Sequence, residues 1–264
     1  MRRSAPTLVV CLLGVLAPAA IAQSDAERGR EVFAERDRAN SGFVDQRVDM
    51  EMTLRSPGGR ESHRRMTVST LEGEPGEGDR TLVVFQAPPD IGGTALLTHE
   101  ALGARDDSQW LYLPAYKRVR RIAGGDRSGR FVGTEFSYED LAGDQLEDFE
   151  YRYVGEQEYE GRRVLRIERF PLSPNSEYSR QDTWVDPENN QVVRSLLYDR
   201  EGRHIKTFEA RDWTVYGERF WRPRTMIMTH VQSGRSTLLE APEYELGIGL
   251  PQVDFNPTAL RRIR

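Results

Sequence analysis

Val44-Asp45-Gln46-Arg47-Val48-Asp49-Met50-Glu51-Met52-Thr53-Leu54-Arg55 decides the fold class. Val44, Gln46, Val48, Met50, Met52 and Leu54 fall on one side, and Asp45, Arg47, Asp49, Glu51, Thr53 and Arg55 on the other. Successive side chains of an extended chain point to opposite faces, so this period of two predicts a strand with one dry and one wet face. Ser56-Pro57-Gly58-Gly59 then turns the chain into a second strand over 61–71. The rhythm returns at 80–87, 94–102, 108–113, 116–122, 148–155, 162–170, 180–186, 191–198, 203–212, 219–232 and 235–243. Turn-forming runs such as Pro88–Gly93, Gly155–Gly161 and Asp186–Asn190 separate these segments. Strands this regular, with few helices between them, predict antiparallel hairpins in a sandwich or barrel. Two helical signals stand out. Ser24 or Asp25 can cap a helix reaching about Arg38, and Ser137-Tyr138-Glu139-Asp140 opens a short helix to about Gln145.

The N-terminus reads as an export signal. Arg2 and Arg3 form a positive start, Leu8–Leu16 is an apolar run too short to span a bilayer, and Ala20-Ile21-Ala22 is a small-x-small cleavage site. Residues 1–22 are therefore expected to be removed, leaving 23–264 as a single domain in the periplasm. The one cysteine, Cys11, lies in the signal behind Val10, where lipidation needs a small residue. The mature chain then has neither disulfide nor thiol chemistry. Without Arg2 and Arg3 the net charge moves from -5 to about -7. An acidic chain lacks the basic footprint of a nucleic-acid binder. A membrane-spanning β-barrel does not fit either, because the charges of the 44–55 strand cannot face lipid.

Catalytic motifs are missing. His63, His99, His204 and His230 are not at metal-ligand spacing with one another or with acids, and no metal or cofactor is expected. Gly124-Gly125-Asp126-Arg127-Ser128-Gly129 lacks the Gly-Lys-Ser/Thr ending of a phosphate loop, and no Gly-x-Ser-x-Gly elbow occurs. Lys117, Arg118, Arg120 and Arg121 form the densest basic cluster of this acidic chain. They suit either a charge-protected strand edge or a docking patch for an anionic headgroup or an acidic protein. Met50/Met52 and Met226/Met228 each share a strand face, and thioethers suit cores as well as sites for variable apolar ligands.

Several stretches resemble the LolA-like outer-membrane lipoprotein-sorting protein family. They are Phe85-Gln86-Ala87-Pro88-Pro89-Asp90-Ile91-Gly92-Gly93-Thr94-Ala95-Leu96-Leu97, Trp110-Leu111-Tyr112-Leu113-Pro114, Arg118-Val119-Arg120-Arg121-Ile122 and Phe136-Ser137-Tyr138-Glu139-Asp140-Leu141. Trp184-Val185-Asp186-Pro187 and Asp254-Phe255 with Leu260 continue the similarity, which runs from about Val44 to the C-terminus. The resemblance implies a mostly β fold, an incomplete antiparallel β-barrel of about eleven strands, with short helices as a lid over a hydrophobic cavity. It implies binding of lipid or lipoprotein acyl chains in the periplasm, without catalysis, and partnership with an RND-type lipid exporter. No residue here is assigned to the carrier's lid-closing arginine.

On this reading a monomeric carrier or chaperone is expected. Val48, Met50, Met52, Leu54, Met66, Phe85, Trp110, Tyr112, Met226 and Met228 would line or approach its lipid-binding cavity. Lys117, Arg118, Arg120 and Arg121 would dock a partner or headgroup. An envelope hydrolase and a non-catalytic β scaffold are the alternatives: the first needs a raised carboxylate pair in a polar cleft, the second a filled core.

Overall fold

A computed structural model describes residues 23–74, 76–103 and 105–263. The export signal and Cys11 lie outside them. Helix α1 (Asp25–Asn40) begins at Ser24, whose Oγ accepts the Glu27 N–H at 3.2 Å while the Glu27 carboxylate accepts the Ser24 N–H at 2.9 Å. This reciprocal cap satisfies two otherwise orphaned donors. The helix runs two residues past the predicted end. Among the described residues no helix is long and apolar enough to cross a membrane.

Fourteen strands follow: β1 (Asp45–Arg55), β2 (Glu61–Leu71), β3 (Arg80–Ala87), β4 (Ala95–His99), β5 (Ser108–Leu113), β6 (Arg118–Ile122), β7 (Phe149–Tyr159), β8 (Arg162–Pro171), β9 (Tyr178–Asp186), β10 (Gln191–Asp199), β11 (His204–Tyr216), β12 (Phe220–His230), β13 (Ser236–Glu240) and β14 (Tyr244–Leu246). They form one antiparallel sheet in the order β6-β5-β4-β3-β2-β1-β13-β12-β11-β10-β9-β8-β7, with β14 beside β1. The chain starts in the middle, meanders to one edge, crosses to the other and meanders back. The sheet does not close, so strand number is not set by closure and exceeds the expected eleven or so. β14 was invisible in the sequence because three residues show no period.

The alternation of β1 holds from Val48 to Met52, where Val48, Met50 and Met52 are buried and Asp49 and Glu51 exposed. It fails at the start. Val44 is 63% exposed and Asp45 only 2%. The Asp45 carboxylate accepts N–H bonds from Ile248, Gly249 and Leu250 at 2.9–3.1 Å. A carboxylate that gathers several backbone donors can be buried, so local pairing overrides the wet-face expectation.

The gap between edge strands β6 and β7 is bridged by residues 123–148. This crossing segment lays Phe131, Phe136, Tyr138 and Leu141 on the inner sheet face. Phe131 stacks on Phe85 at 5.5 Å, over Met50, Met66 and Leu96. The helix expected from Ser137 is instead two short 3-10 turns, Glu139–Leu141 and Leu146–Asp148. The predicted cap is present, with Ser137 N–H donating to Asp140 and Asp140 N–H to Ser137 Oγ. The turn ends because Ala142 is extended and Asp107 takes the Gly143 N–H at 2.6 Å. A second cluster packs Val32 and Phe33 of α1 on Tyr151, Tyr153, Ile167 and Val185, and a third covers the outer face with Phe255 and Leu260.

Phe131→Ala removes the ring that joins the crossing segment to the sheet. It should cost about 3–5 kcal/mol, read as a lowered urea midpoint; a loss below about 1 kcal/mol would mean that the segment is not held by this contact.

Candidate functional site

The inner face of β8–β12 is not filled. It carries a cavity of about 390 Å³, within the usual size range of small-ligand sites. Register explains its floor: Thr183 faces Ser195, Ser195 faces Phe208 and Phe208 faces Met228, while Ala210 faces Met226 one step along. Phe208, Ala210, Trp213, Pro223, Met226 and Met228 make the apolar wall. The crossing segment roofs it with Phe136 and residues 139–149, and α1 closes one side with Arg36. The Trp213 indole N–H is buried without a hydrogen-bond partner.

Charged side chains lock this roof to the walls. Asp144 accepts from Arg36 at 2.7 Å and from Arg169, whose guanidinium also lies 3.8 Å from the Phe149 ring centre. Burial would raise the Asp144 carboxyl, but the two guanidiniums overcome this and hold it well below the ordinary carboxylate range. Lys206, 5% exposed on β11, donates to Asp140 at 3.0 Å, to Glu177 at 2.7 Å and to the Tyr178 hydroxyl at 2.8 Å. Burial lowers the Lys206 pKa and these two carboxylates more than reverse it, so the net shift is upward. Arg127 donates to Asp106 at 2.7 Å, and Asp106 also accepts from Ser173 and Asn175 at 2.6 Å.

Other carboxyls at the roof form no ion pair among the described residues. Glu139 accepts from Ser176 Oγ and the Glu177 N–H, and burial pushes it to about 6. Asp148, bonded to the Gln145 N–H, is pushed by burial and then by Asp107 and Asp144 to about 7. Glu100, which accepts from Gln145 Nε2, is pushed by burial and then by Asp79 and Asp107 to about 8. These groups hold roof backbone and side chains in place; the apolar floor is what the cavity offers a ligand.

The sequence-derived residues divide into three sets. Met226 and Met228 line the cavity. Val48, Met50, Met52, Leu54, Met66 and Phe85 share its sheet face but pack in the adjoining cluster under Phe131 and Phe136. The two regions are continuous, since Leu239 pairs with both Met226 and Met52. Trp110 and Tyr112 instead lie on the outer face with Phe255 and Leu260. Leu111 between them faces inward, so the period of two sends both aromatics outward. Lys117, Arg118, Arg120 and Arg121 sit exposed on edge strand β6 and its hairpin, away from the cavity. Phe208, Ala210 and Trp213 went unnamed in the sequence. Alternation along 203–212 places Phe208 and Ala210 on one face, but nothing local says that this face is open. Arg36, Asp144 and Arg169 left no local signal, for they converge from three distant segments.

A family model described as "uncharacterized protein" matches residues 77–262. A domain from Vibrio parahaemolyticus, provisionally described as an outer membrane lipoprotein-sorting protein domain, is 37% identical with a TM-score of 0.86, covering 90% of this chain and 100% of that one. A DUF1329 family protein from Desulfovibrio piger is 25% identical with a TM-score of 0.86 and the same coverage. A LolA superfamily protein from Nitrosomonas europaea has a TM-score of 0.68 at 18% identity over 86% of this chain and 97% of that one, a likeness of fold. No curated protein matches the chain.

The raised carboxyls set a pH dependence. A carboxyl whose folded pKa exceeds its unfolded value stabilises the fold below the unfolded pKa, and that contribution is lost as pH rises through the folded one. For Glu100 the window runs from 4.5 to about 8. Asp144 has the opposite sign, with stability lost as pH falls below its ordinary value of 3.8. Glu100→Gln should therefore melt above wild type at about pH 8 and converge with it near pH 4.5. Parallel melting curves across that range would show that Glu100 ionises freely in the folded state.

Proposed function

The chain belongs to the LolA-like outer-membrane lipoprotein-sorting protein family, and we propose that it is a periplasmic carrier that takes the acyl chains of a lipid or lipoprotein into the roofed cavity. The observation that carries this reading is the cavity itself: about 390 Å³ over a floor of Phe208, Ala210, Trp213, Met226 and Met228, beneath a roof held by side-chain contacts. Burial of acyl chain would supply the driving force, about 0.8 kcal/mol for each CH₂ removed from water. Methionines adapt to chains of differing shape without a fixed hydrogen-bond pattern.

Release requires the roof to lift, which separates Asp140 from Lys206 and Asp144 from Arg36 and Arg169. A membrane partner that competes for these charges would trigger it, and an RND-type lipid exporter is the partner that family resemblance favours. The carrier acts as a monomer, exported by the signal at 1–22, and needs no cofactor or bond chemistry. An envelope hydrolase would use a raised carboxyl such as Glu139 or Asp148 on a bound polymer, but these accept the backbone N–H groups of Glu177 and Gln145, which favours a structural role.

Two tryptophan substitutions separate a ligand space from a packed core. Ala210→Trp places an indole in the cavity; the fold should hold its melting temperature while uptake of a fluorescent fatty acid is lost. Met50→Trp lies in the filled cluster and should destabilise by about 1–3 kcal/mol through overpacking. Full uptake by Ala210→Trp would exclude this cavity as the lipid site. Mass spectrometry of an organic extract of the protein from its own periplasm should show an acyl lipid at near-stoichiometric amount.

A further inference from the structure

The β5–β6 hairpin is the most basic place on an acidic molecule, and the structure adds to it what the sequence kept apart. A 3-10 turn, Pro114–Tyr116, ends in Lys117 at φ 48°, and the hairpin tip leaves Tyr116 72% exposed. Lys117, Arg118, Arg120 and Arg121 follow, all exposed. The 3-10 turn Ala259–Arg262 packs against β6, with Leu260 beside Val119 in the outer-face cluster. It brings exposed Arg261 and Arg262 to the same edge. Against these six cations stand Asp126, which pairs with Arg120, and exposed Asp254 in the neighbouring turn. Among the described residues Lys117 and Arg118 form no ion pair. β6 is also the last strand of the sheet, with one edge unpaired.

We infer that this edge is a docking surface for an anionic lipid bilayer. The patch is rich in exposed cations around a turn whose Tyr116 is exposed. A diffuse anionic surface asks only for clustered basic side chains, and an exposed tyrosine suits the headgroup layer, whereas a protein partner needs an extended complementary face. β6 runs from the hairpin to Ile122, where the crossing segment 123–148 begins. The docking surface is separate from the cavity and does not depend on its ligand.

The test is co-sedimentation of the mature chain with vesicles. The protein is acidic overall, so an anionic bilayer repels it unless this edge faces the lipid. It should sediment with phosphatidylglycerol/phosphatidylcholine vesicles at low salt, remain in solution with pure phosphatidylcholine, and dissociate as salt rises. The double variant Lys117→Glu/Arg118→Glu should lower partitioning by roughly tenfold or more, and Tyr116→Ser should lower it while keeping the salt dependence. Both variants should take up fluorescent fatty acid in solution as wild type does, which also shows that they fold. Failure to sediment with anionic vesicles, or sedimentation that the charge reversal leaves unchanged, would overturn the inference and leave the arginines as edge protection. Tighter binding to polyglutamate than to the vesicles would overturn it in favour of an acidic protein. Loss of fatty-acid uptake in wild type with vesicle binding intact would sink the carrier reading and support docking.

Discussion

One sheet that does not close sets the terms for everything else. Edge strands β6 and β7 end the sheet unpaired with one another, and the inner face between them is apolar. Exposed apolar face and open edges invite association with other chains. The segment 123–148 answers both by crossing the gap and laying its aromatics on the inner face. A long connection of this kind is seldom passive. Here it is packed core at one end, through Phe131 on Phe85, and cavity roof at the other.

The two halves of the inner face differ because of side-chain volume. Under Phe131 the strands present Met50, Met66, Phe85 and Leu96, which meet the crossing segment and fill the space. On β10 and β11 the same face presents Ser195 and Ala210 beside Phe208, and the space stays open. The same strand geometry thus gives a filled core and a cavity side by side, joined through Leu239.

Charge adds to apolar burial in holding the roof over the open half. Removing Lys206, Asp140 and Glu177 from water is costly, and buried ion pairs of this sort are weak contributors to net stability. Their effect is on geometry: each partner left alone would be an uncompensated buried charge. Burial raises Glu100, Asp107 and Asp148, and the neighbouring Asp107 carboxylate raises Glu100 and Asp148 further.

Much of this molecule is local and therefore readable from the sequence. The period of two located β2, β3 and β5 to the residue, Ser24 marked the helix start, and the motifs from Phe85 to Leu141 marked the family. Alternation also placed Met226 and Met228 on one face. What alternation cannot supply is which face becomes the inside and what then covers it. Trp110 and Tyr112 read as well as Leu111 for a place inside, yet only the curl of the sheet and the C-terminal turn around Leu260 put them outside. Asp45 looked like a wet-face residue until the loop 248–250 brought three N–H groups to it. Arg36, Asp144 and Arg169 stand far apart in the chain and meet only because the crossing segment returns between α1 and β8. Sequence determined the strands, because side-chain direction follows from backbone period. Tertiary structure alone decided the cavity and its lock, because empty space and ion pairs depend on which distant segments meet.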